Sequence, residues 1–119
     1  MSASLSTAPA LVGFSGGGDS LALLTRVLAR ADRPVRALIV DHALQPGSAA
    51  VAAAAANTAR DLGAEAEVLT LAMGPGPHPH AVLRRARYQA LCTAAQRLGG
   101  REIHLGHTAD DQAETVWLR

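Results

Sequence analysis

Apolar and polar positions alternate along the chain with two different periods. Short, continuous apolar runs, several of them rich in β-branched residues, predict buried strands. They are Leu11–Phe14, Val35–Asp41, Glu65–Leu71 and Glu102–Gly106. Apolar residues at helical spacing predict a helix after each of these runs. The predicted helices are Leu21–Leu28, Ser48–Gly63, His80–Leu98 and His107–Arg119.

This alternation of strands and helices predicts an α/β fold, a doubly wound parallel sheet with helices on both faces. In such sheets, ligands bind at the carboxyl ends of the strands. Three stretches with chemically suggestive side chains follow predicted strands. They are Ser15–Ser20, Asp41-His42 and His107–Glu114. We therefore expect these three stretches to lie together at one edge of the sheet.

The stretch from Ser15 to Ser20 contains three consecutive glycines between a strand and a helix. Glycines let backbone N–H groups approach a ligand, and a helix N-terminus favours an anion, so this loop suits phosphate. The alternative is a glycine-rich turn with Asp19 or Ser20 as helix N-cap. A Walker A loop is excluded because the chain contains no lysine, and Leu21 stands where a dinucleotide fingerprint requires its third glycine.

The sequence also predicts how the second helix begins and how the last helix ends. Ser48 is the expected N-cap of the second helix, whose inward face includes Val51, Ala55 and Leu62. The last predicted helix contains Val116-Trp117-Leu118 and reaches Arg119 without a stop signal. The chain is therefore expected to be incomplete at its C-terminus.

Length and composition bound the remaining possibilities. A chain of 119 residues with 49% hydrophobic residues makes at most one domain, and a net charge of +1 excludes a polybasic nucleic-acid binder. Cys92, the single cysteine, excludes an intrachain disulfide and fits a reducing compartment. No signal peptide or apolar stretch of membrane-spanning length is present. The sequence thus predicts a soluble, cytoplasmic protein with no membrane partner, whose residues 1–10 form an extension before a domain at 11–119.

The glycine loop resembles the S-G-G-x-D-S loop of the N-type ATP pyrophosphatases, the PP-loop enzymes, which cleave ATP between its α- and β-phosphates. Three further stretches resemble the N-terminal catalytic domain of the tRNA(Ile)-lysidine synthetases within that class. The stretch at 40–45, V-D-H-A-L-Q, is similar to the family's V-D-H-G-L-R. The stretch at 83–88, L-R-R-A-R-Y, is similar to A-R-x-x-R-Y, and residues 105–115 match L-G-H-x-x-D-D-Q-A-E-T at every fixed position.

The resemblance covers residues 11–119 and implies an adenine nucleotide alpha hydrolase-like fold whose C-terminal part is missing here. Three positions depart from the family pattern. Ala43 replaces a glycine, Gln45 replaces an arginine and His80 replaces a glutamate. The change at Gln45 removes one positive charge near the expected site.

The resemblance implies a two-step reaction. ATP adenylates the C2 oxygen of the wobble cytidine in an isoleucine tRNA and releases pyrophosphate. The amine of free L-lysine then displaces AMP, which gives lysidine. The implied cofactors are ATP and Mg²⁺, and the tRNA(Ile) contacts are expected largely outside this chain.

The same resemblance implies roles for individual residues. ATP is expected to contact two stretches, Ser15, Gly16, Gly17, Gly18, Asp19 and Ser20 in the loop and Val40, Asp41 and His42 after the second strand. Asp19 would hold Mg²⁺, and the implied catalytic residues are Asp19, Arg84, Arg87 and His107. Asp111 and Glu114, three positions apart on the predicted last helix, would bind the lysine ammonium.

Structural explanations of these residues compete with the functional ones. Arginines on a helix commonly form only a solvated face. Thr108 and Asp111 also fit a capping box at the start of the predicted last helix. At the level of the whole chain, the alternatives are another PP-loop enzyme acting on tRNA, such as a 2-thiolation enzyme with paired cysteines, or an inactive ATP-binding fragment.

Overall fold

The computed structural model describes residues 8–107 and 112–118. The described strands are β1 (Ala10–Gly13), β2 (Val35–Asp41), β3 (Glu65–Thr70), β4 (Glu102–His107) and β5 (Gln112–Trp117). The described helices are α1 (Gly18–Arg30), α2 (Ser48–Asp61) and α3 (His80–Arg97). Strands and helices alternate as far as β4, as predicted from the hydrophobic pattern.

The five strands form one sheet in the order β3-β2-β1-β4-β5. β1 lies in the middle and pairs in parallel with both β2 and β4, while β2 pairs in parallel with β3. The chain therefore winds outward from β1 in both directions, and the point of reversal lies at the carboxyl end of β1. This arrangement confirms the predicted doubly wound α/β fold, and in such folds this end of the sheet is where ligands bind.

Each face of the sheet has its own apolar core. The first core combines α1 and α2 with strand residues such as Val12, Ala37 and Ile39. The second combines α3 with Leu11, Leu38 and other inward residues of the opposite face. Neighbouring strand residues contribute to opposite cores because side chains alternate along a strand. Burial on both faces explains why the central strands are continuously apolar.

The predicted helix at His107–Arg119 is wrong. His107 ends β4, and Gln112–Trp117 form β5, which pairs antiparallel with β4. A short apolar run does not distinguish a helix from a strand, and Thr115, Val116 and Trp117 favour a strand. Pairing with β4 places Val116 opposite Ile103 and against the second core, so tertiary contacts decided the conformation.

This correction changes the argument for Asp111 and Glu114. Glu114 lies in β5, so these two residues do not share a helix face as predicted. The capping box proposed for Thr108 and Asp111 loses the helix it was to cap, because the residues after it form a strand. Residues 108–111 themselves lie outside the described residues.

One predicted helix start and one predicted helix face are also corrected. α2 begins at Ser48 with Gly47 as N-cap, so Ser48 is the first helical residue and caps nothing. Its buried side chains are alanines at 52, 55, 56 and 59, whereas Val51 is 67% exposed. Small alanine side chains let the helix lie close to the sheet. The sequence did not reveal which face is buried, because alanine occupies almost every position of this helix.

Within residues 8–107 and 112–118, no helix is both long and apolar enough to span a membrane.

Candidate functional site

The glycine loop connects β1 to α1 at the centre of the sheet, and two serines close it. The buried Ser20 hydroxyl accepts a hydrogen bond from the Ser15 N–H at 3.2 Å and donates one to the Gly17 carbonyl at 3.1 Å. The Ser15 hydroxyl lies 3.1 Å from that of Ser20 and accepts a hydrogen bond from the Gly17 N–H at 3.2 Å. These bonds fix the shape of the loop without any ligand.

The geometry of the loop excludes the alternative in which Asp19 or Ser20 caps the helix. α1 begins at Gly18, and its N-cap is Gly17, which has no side chain. The first N–H groups of a helix have no partner within it, so those after Gly17 are available to an external acceptor. A Cβ added at Gly18 would meet nothing within 4 Å, so there is open space beside these donors. This arrangement fits the oxygens of a phosphate.

A cavity of about 360 Å³ lies beside the loop at the carboxyl end of β2. Four of the residues predicted to contact ATP line it, namely Ser15, Val40, Asp41 and His42. Its volume falls within the range of about 300 to 1,000 Å³ that is usual for small-molecule sites. The tertiary structure therefore brings the first two of the three suggestive stretches together.

Asp41 is buried at the end of β2 and shapes the wall of this cavity. Its Oδ1 accepts a hydrogen bond of 2.9 Å from the N–H of Ala43, which makes a tight turn after the strand. Ala43 has a φ of 57°, in the left-handed region that favours glycine. The glycine expected at this position from the family pattern would adopt the turn without strain.

His42 connects the carboxyl end of β2 to α3. Its Nε2 lies 3.2 Å from the carbonyl oxygen of Leu83, and because a carbonyl only accepts, Nε2 carries the proton. This hydrogen bond fixes the first turns of α3 beside the cavity. The arginines that follow Leu83 in α3 are thereby held near the same end of the sheet.

Arg87 reaches from α3 toward the base of the glycine loop. Its Nη2 lies 3.5 Å from the position that a Cβ on Gly13 would occupy, at the carboxyl end of β1. The side chain is half-buried, and this burial lowers the pKa of its guanidinium below the ordinary value. Among the described side chains, no carboxylate pairs with it. A partly desolvated cation without a counter-ion is suited to bind an anion there.

The structure separates Arg84 from Arg87. Arg84 is exposed and lines a surface cavity of about 550 Å³ with His80, Arg85 and Tyr88. The resemblance implies a catalytic role for both arginines, but only Arg87 points toward the glycine loop.

Several predicted site residues lie wholly or partly outside the described residues. The backbones of Asp19, His107 and Glu114 are described in α1, β4 and β5, but their side chains are not, and Asp111 is outside altogether. Within the described part of the chain, no three His, Cys, Asp or Glu residues are grouped so as to hold a metal ion. ATP-bound Mg²⁺ commonly needs only one or two protein carboxylates, so Asp19 stays a predicted ligand.

Sequence reasoning missed some residues of the site. Gly13 makes room for Arg87 and for Leu105, whose Cδ2 would lie 2.6 Å from an added Cβ. Val51 and Ala52 of α2 line the cavity with Ser48, although the pattern predicted only a core face for this helix. No local motif marks these positions, because their role depends on which elements pack side by side.

Comparison with known families agrees with this geometry. The sequence profile of the PP-loop domain matches residues 2–119. The chain belongs to the PP-loop family. The match includes the glycine loop, β2 with Asp41 and His42, and α3, and a PP-loop domain indicates ATP binding.

Curated relatives of this PP-loop chain are tRNA(Ile)-lysidine synthases. That of Caulobacter vibrioides is 54% identical over 118 residues, which cover 96% of this chain and 29% of the relative. That of Rhodococcus jostii is 55% identical over 108 residues, which cover 90% of this chain and 32% of the relative. The chain thus spans less than a third of the length of these two relatives.

A solved structure has the same fold. The U34-tRNA thiolase NcsA from Methanococcus maripaludis superimposes with a TM-score of 0.69 over 87% of this chain and 39% of its own. Its sequence identity to this PP-loop chain is 20%, so the likeness concerns the fold alone.

Proposed function

We propose that this PP-loop chain binds ATP with Mg²⁺ and, as part of a lysidine synthetase, ligates L-lysine to the wobble cytidine of an isoleucine tRNA. The observation that carries the proposal is the meeting of the glycine loop, the Asp41-His42 wall and the Arg87 guanidinium at one end of the sheet. The identities near 50% to lysidine synthases support the choice of reaction.

The nucleotide occupies the loop and the adjoining cavity in this proposal. The unpaired N–H groups after Gly17 bind the phosphate oxygens, and the hydrogen bonds of Ser20 keep the loop in shape before ATP arrives. Asp19 would hold Mg²⁺, which would supply positive charge to the leaving pyrophosphate. Arg87 offsets the negative charge that develops as the α–β bond breaks.

The first chemical step forms a bond between the cytidine C2 oxygen and the α-phosphorus of ATP, and the bond to pyrophosphate breaks. In the second step the lysine amine attacks C2, loses a proton, and AMP leaves with the C2 oxygen. His107 is the last residue of β4, at the carboxyl edge of the sheet, so we propose it as a third catalytic residue. Asp111 and Glu114 are proposed to hold the lysine ammonium through charge-assisted hydrogen bonds.

The experiment that tests the proposal supplies the protein with ATP, Mg²⁺, lysine and an isoleucine tRNA and identifies the products by chromatography. AMP, pyrophosphate and a lysine-modified tRNA are expected. Asp19→Asn should weaken Mg²⁺-dependent ATP binding with little change in stability, because the N-cap position of α1 is Gly17 and not Asp19. ADP and phosphate as products would contradict the proposed cleavage.

The lysine site is tested in the same assay through the lysine concentration that the reaction needs. Asp111→Asn and Glu114→Gln should each raise this concentration about tenfold or more and leave ATP affinity unchanged, since about 1.4 kcal/mol corresponds to one decade. An unchanged lysine requirement in both variants would remove these two residues from the proposed site.

A further inference from the structure

The N-terminal half of α3 has an unusual charge distribution for a helix. α3 contains four arginines and no acidic residue, and Arg84, Arg85 and Arg87 fall within its first eight residues. Like charges crowded on a helix repel each other, and no acidic side chain of α3 offsets this repulsion. The cluster does not stabilise the helix, so an interaction with a group outside the helix better explains the presence of these arginines.

Two of these arginines face solvent beside an aromatic ring. Arg84 and Arg85 are exposed, and they line the 550 Å³ surface cavity with His80 and Tyr88, which is 46% exposed. Neither arginine forms an ion pair with any side chain that the structure describes. This surface, formed by His80, Arg84, Arg85 and Tyr88, is called the α3 surface below.

The α3 surface adjoins the candidate ATP site. Leu83, next to Arg84 in the chain, accepts the hydrogen bond from His42, which lines the cavity beside the glycine loop. Arg87, three residues further along α3, approaches Gly13 at the base of that loop. Arg84 of the α3 surface therefore lies within one helical turn of Arg87, which approaches the candidate ATP site.

We propose that the α3 surface binds single-stranded or loop RNA, with Arg84 and Arg85 contacting phosphates and a base stacking on Tyr88. Proteins commonly bind such RNA through arginines, which contact its phosphates, and through exposed aromatic rings, on which its bases stack. The proposal rests on the proposed function, because it names the surface that presents the target RNA to the ATP site. It places an RNA contact within this chain, where none was expected from the net charge, and assigns Arg84 to RNA rather than to catalysis.

The test measures binding of a fluorescently labelled anticodon stem-loop of an isoleucine tRNA over a range of salt concentrations. Arg84→Gln combined with Arg85→Gln should weaken binding and lower the slope of log affinity against log salt by about 1.4 to 1.8, since each of the two phosphate contacts contributes about 0.7 to 0.9. The matched control is Arg26→Gln with Arg30→Gln, two exposed arginines of α1 on the other face of the sheet. The control should leave both quantities unchanged.

Tyr88 is tested separately through its ring. Tyr88→Leu should weaken binding about tenfold without changing the salt slope, because stacking involves no counter-ion. Tyr88→Phe should retain binding, because it keeps the ring. Loss of binding in both variants, with melting temperatures unchanged, would overturn the stacking role.

Three further outcomes would overturn the proposal. They are absence of binding by the unmodified protein at low salt, an unchanged salt slope in the double arginine variant, and binding to phosphatidylserine vesicles that competes with the RNA. ATP affinity, measured in the same variants, should stay unchanged. If AMP and pyrophosphate form but the double arginine variant has an unchanged salt slope, only the RNA-binding role of the α3 surface is refuted. If ADP is the product, only the proposed function is refuted.

Discussion

The replacement Arg87→Met distinguishes a functional cation from a structural one. Arg87 is half-buried, its pKa is lowered by that burial, and no described carboxylate pairs with it. Complete burial of a charge without a partner costs several kcal/mol, and partial burial costs a fraction of this amount. Methionine fills a similar space without the charge, so the variant should be more stable by about 1 kcal/mol, or roughly 4 °C in melting temperature.

The same variant should bind ATP less tightly. A charge-assisted hydrogen bond to phosphate contributes about 1.5 to 3 kcal/mol, which corresponds to a loss of roughly tenfold to a hundredfold in affinity. Thermal unfolding followed by circular dichroism and titration calorimetry with ATP measure the two quantities on one preparation. Because burial lowers this pKa from a value far above neutrality, the guanidinium stays charged and the gain in stability should not vary with pH in the neutral range.

The control is Arg97→Met in the same helix. Arg97 forms an ion pair with Glu67 on the surface, so its loss should reduce stability by less than about 1 kcal/mol and leave ATP affinity unchanged. If Arg87→Met instead lowers the melting temperature and leaves ATP affinity intact, Arg87 is a packing residue, and the reasoning from its unpaired charge is refuted.

Two other substitutions address the loop and the turn beside it. Ser20→Ala removes the hydroxyl that bonds the Ser15 N–H and the Gly17 carbonyl, so unfolding should become easier by about 1 to 3 kcal/mol and ATP binding weaker; unchanged melting would show that the loop holds its shape without it. Ala43→Gly removes the strain of a left-handed alanine, which costs about 1 to 2 kcal/mol. Glycine also raises the entropy of the unfolded chain, which destabilises the folded protein by about 0.4 to 1 kcal/mol, so denaturant titrations should show a net gain in stability below about 1.5 kcal/mol. Lower stability of the glycine variant would mean that the turn costs alanine nothing.

The sequence by itself determined the fold class and the location of the glycine loop. β2 has the predicted bounds, and α3 begins at the predicted His80, because long apolar runs and flanking prolines fix such elements locally. The loop was recognisable because three glycines between a strand and a helix are rare without a close approach of backbone to ligand. Its family could be identified for the same reason, since motifs of this kind are local in sequence.

Tertiary structure alone decided the conformation of residues 112–117. Their apolar residues fit a helix or a strand, and the open edge of β4 supplied backbone partners that favoured the strand. The buried face of α2 was likewise set by packing, because alanine at most positions gives no periodic contrast. In both places the local sequence is ambiguous, and contacts distant in the chain decide the outcome.

The different surroundings of the α3 arginines also depended on tertiary structure. Arg84 and Arg87 are chemically identical and three residues apart, and only the packing of α3 against β1 and β2 shows that one is exposed and the other half-buried beside Gly13. Arg87 is desolvated and has no counter-ion among the described side chains. Both properties depend on neighbouring residues that no local sequence pattern specifies. The sequence could therefore identify the candidate groups, but their separate surroundings required the fold.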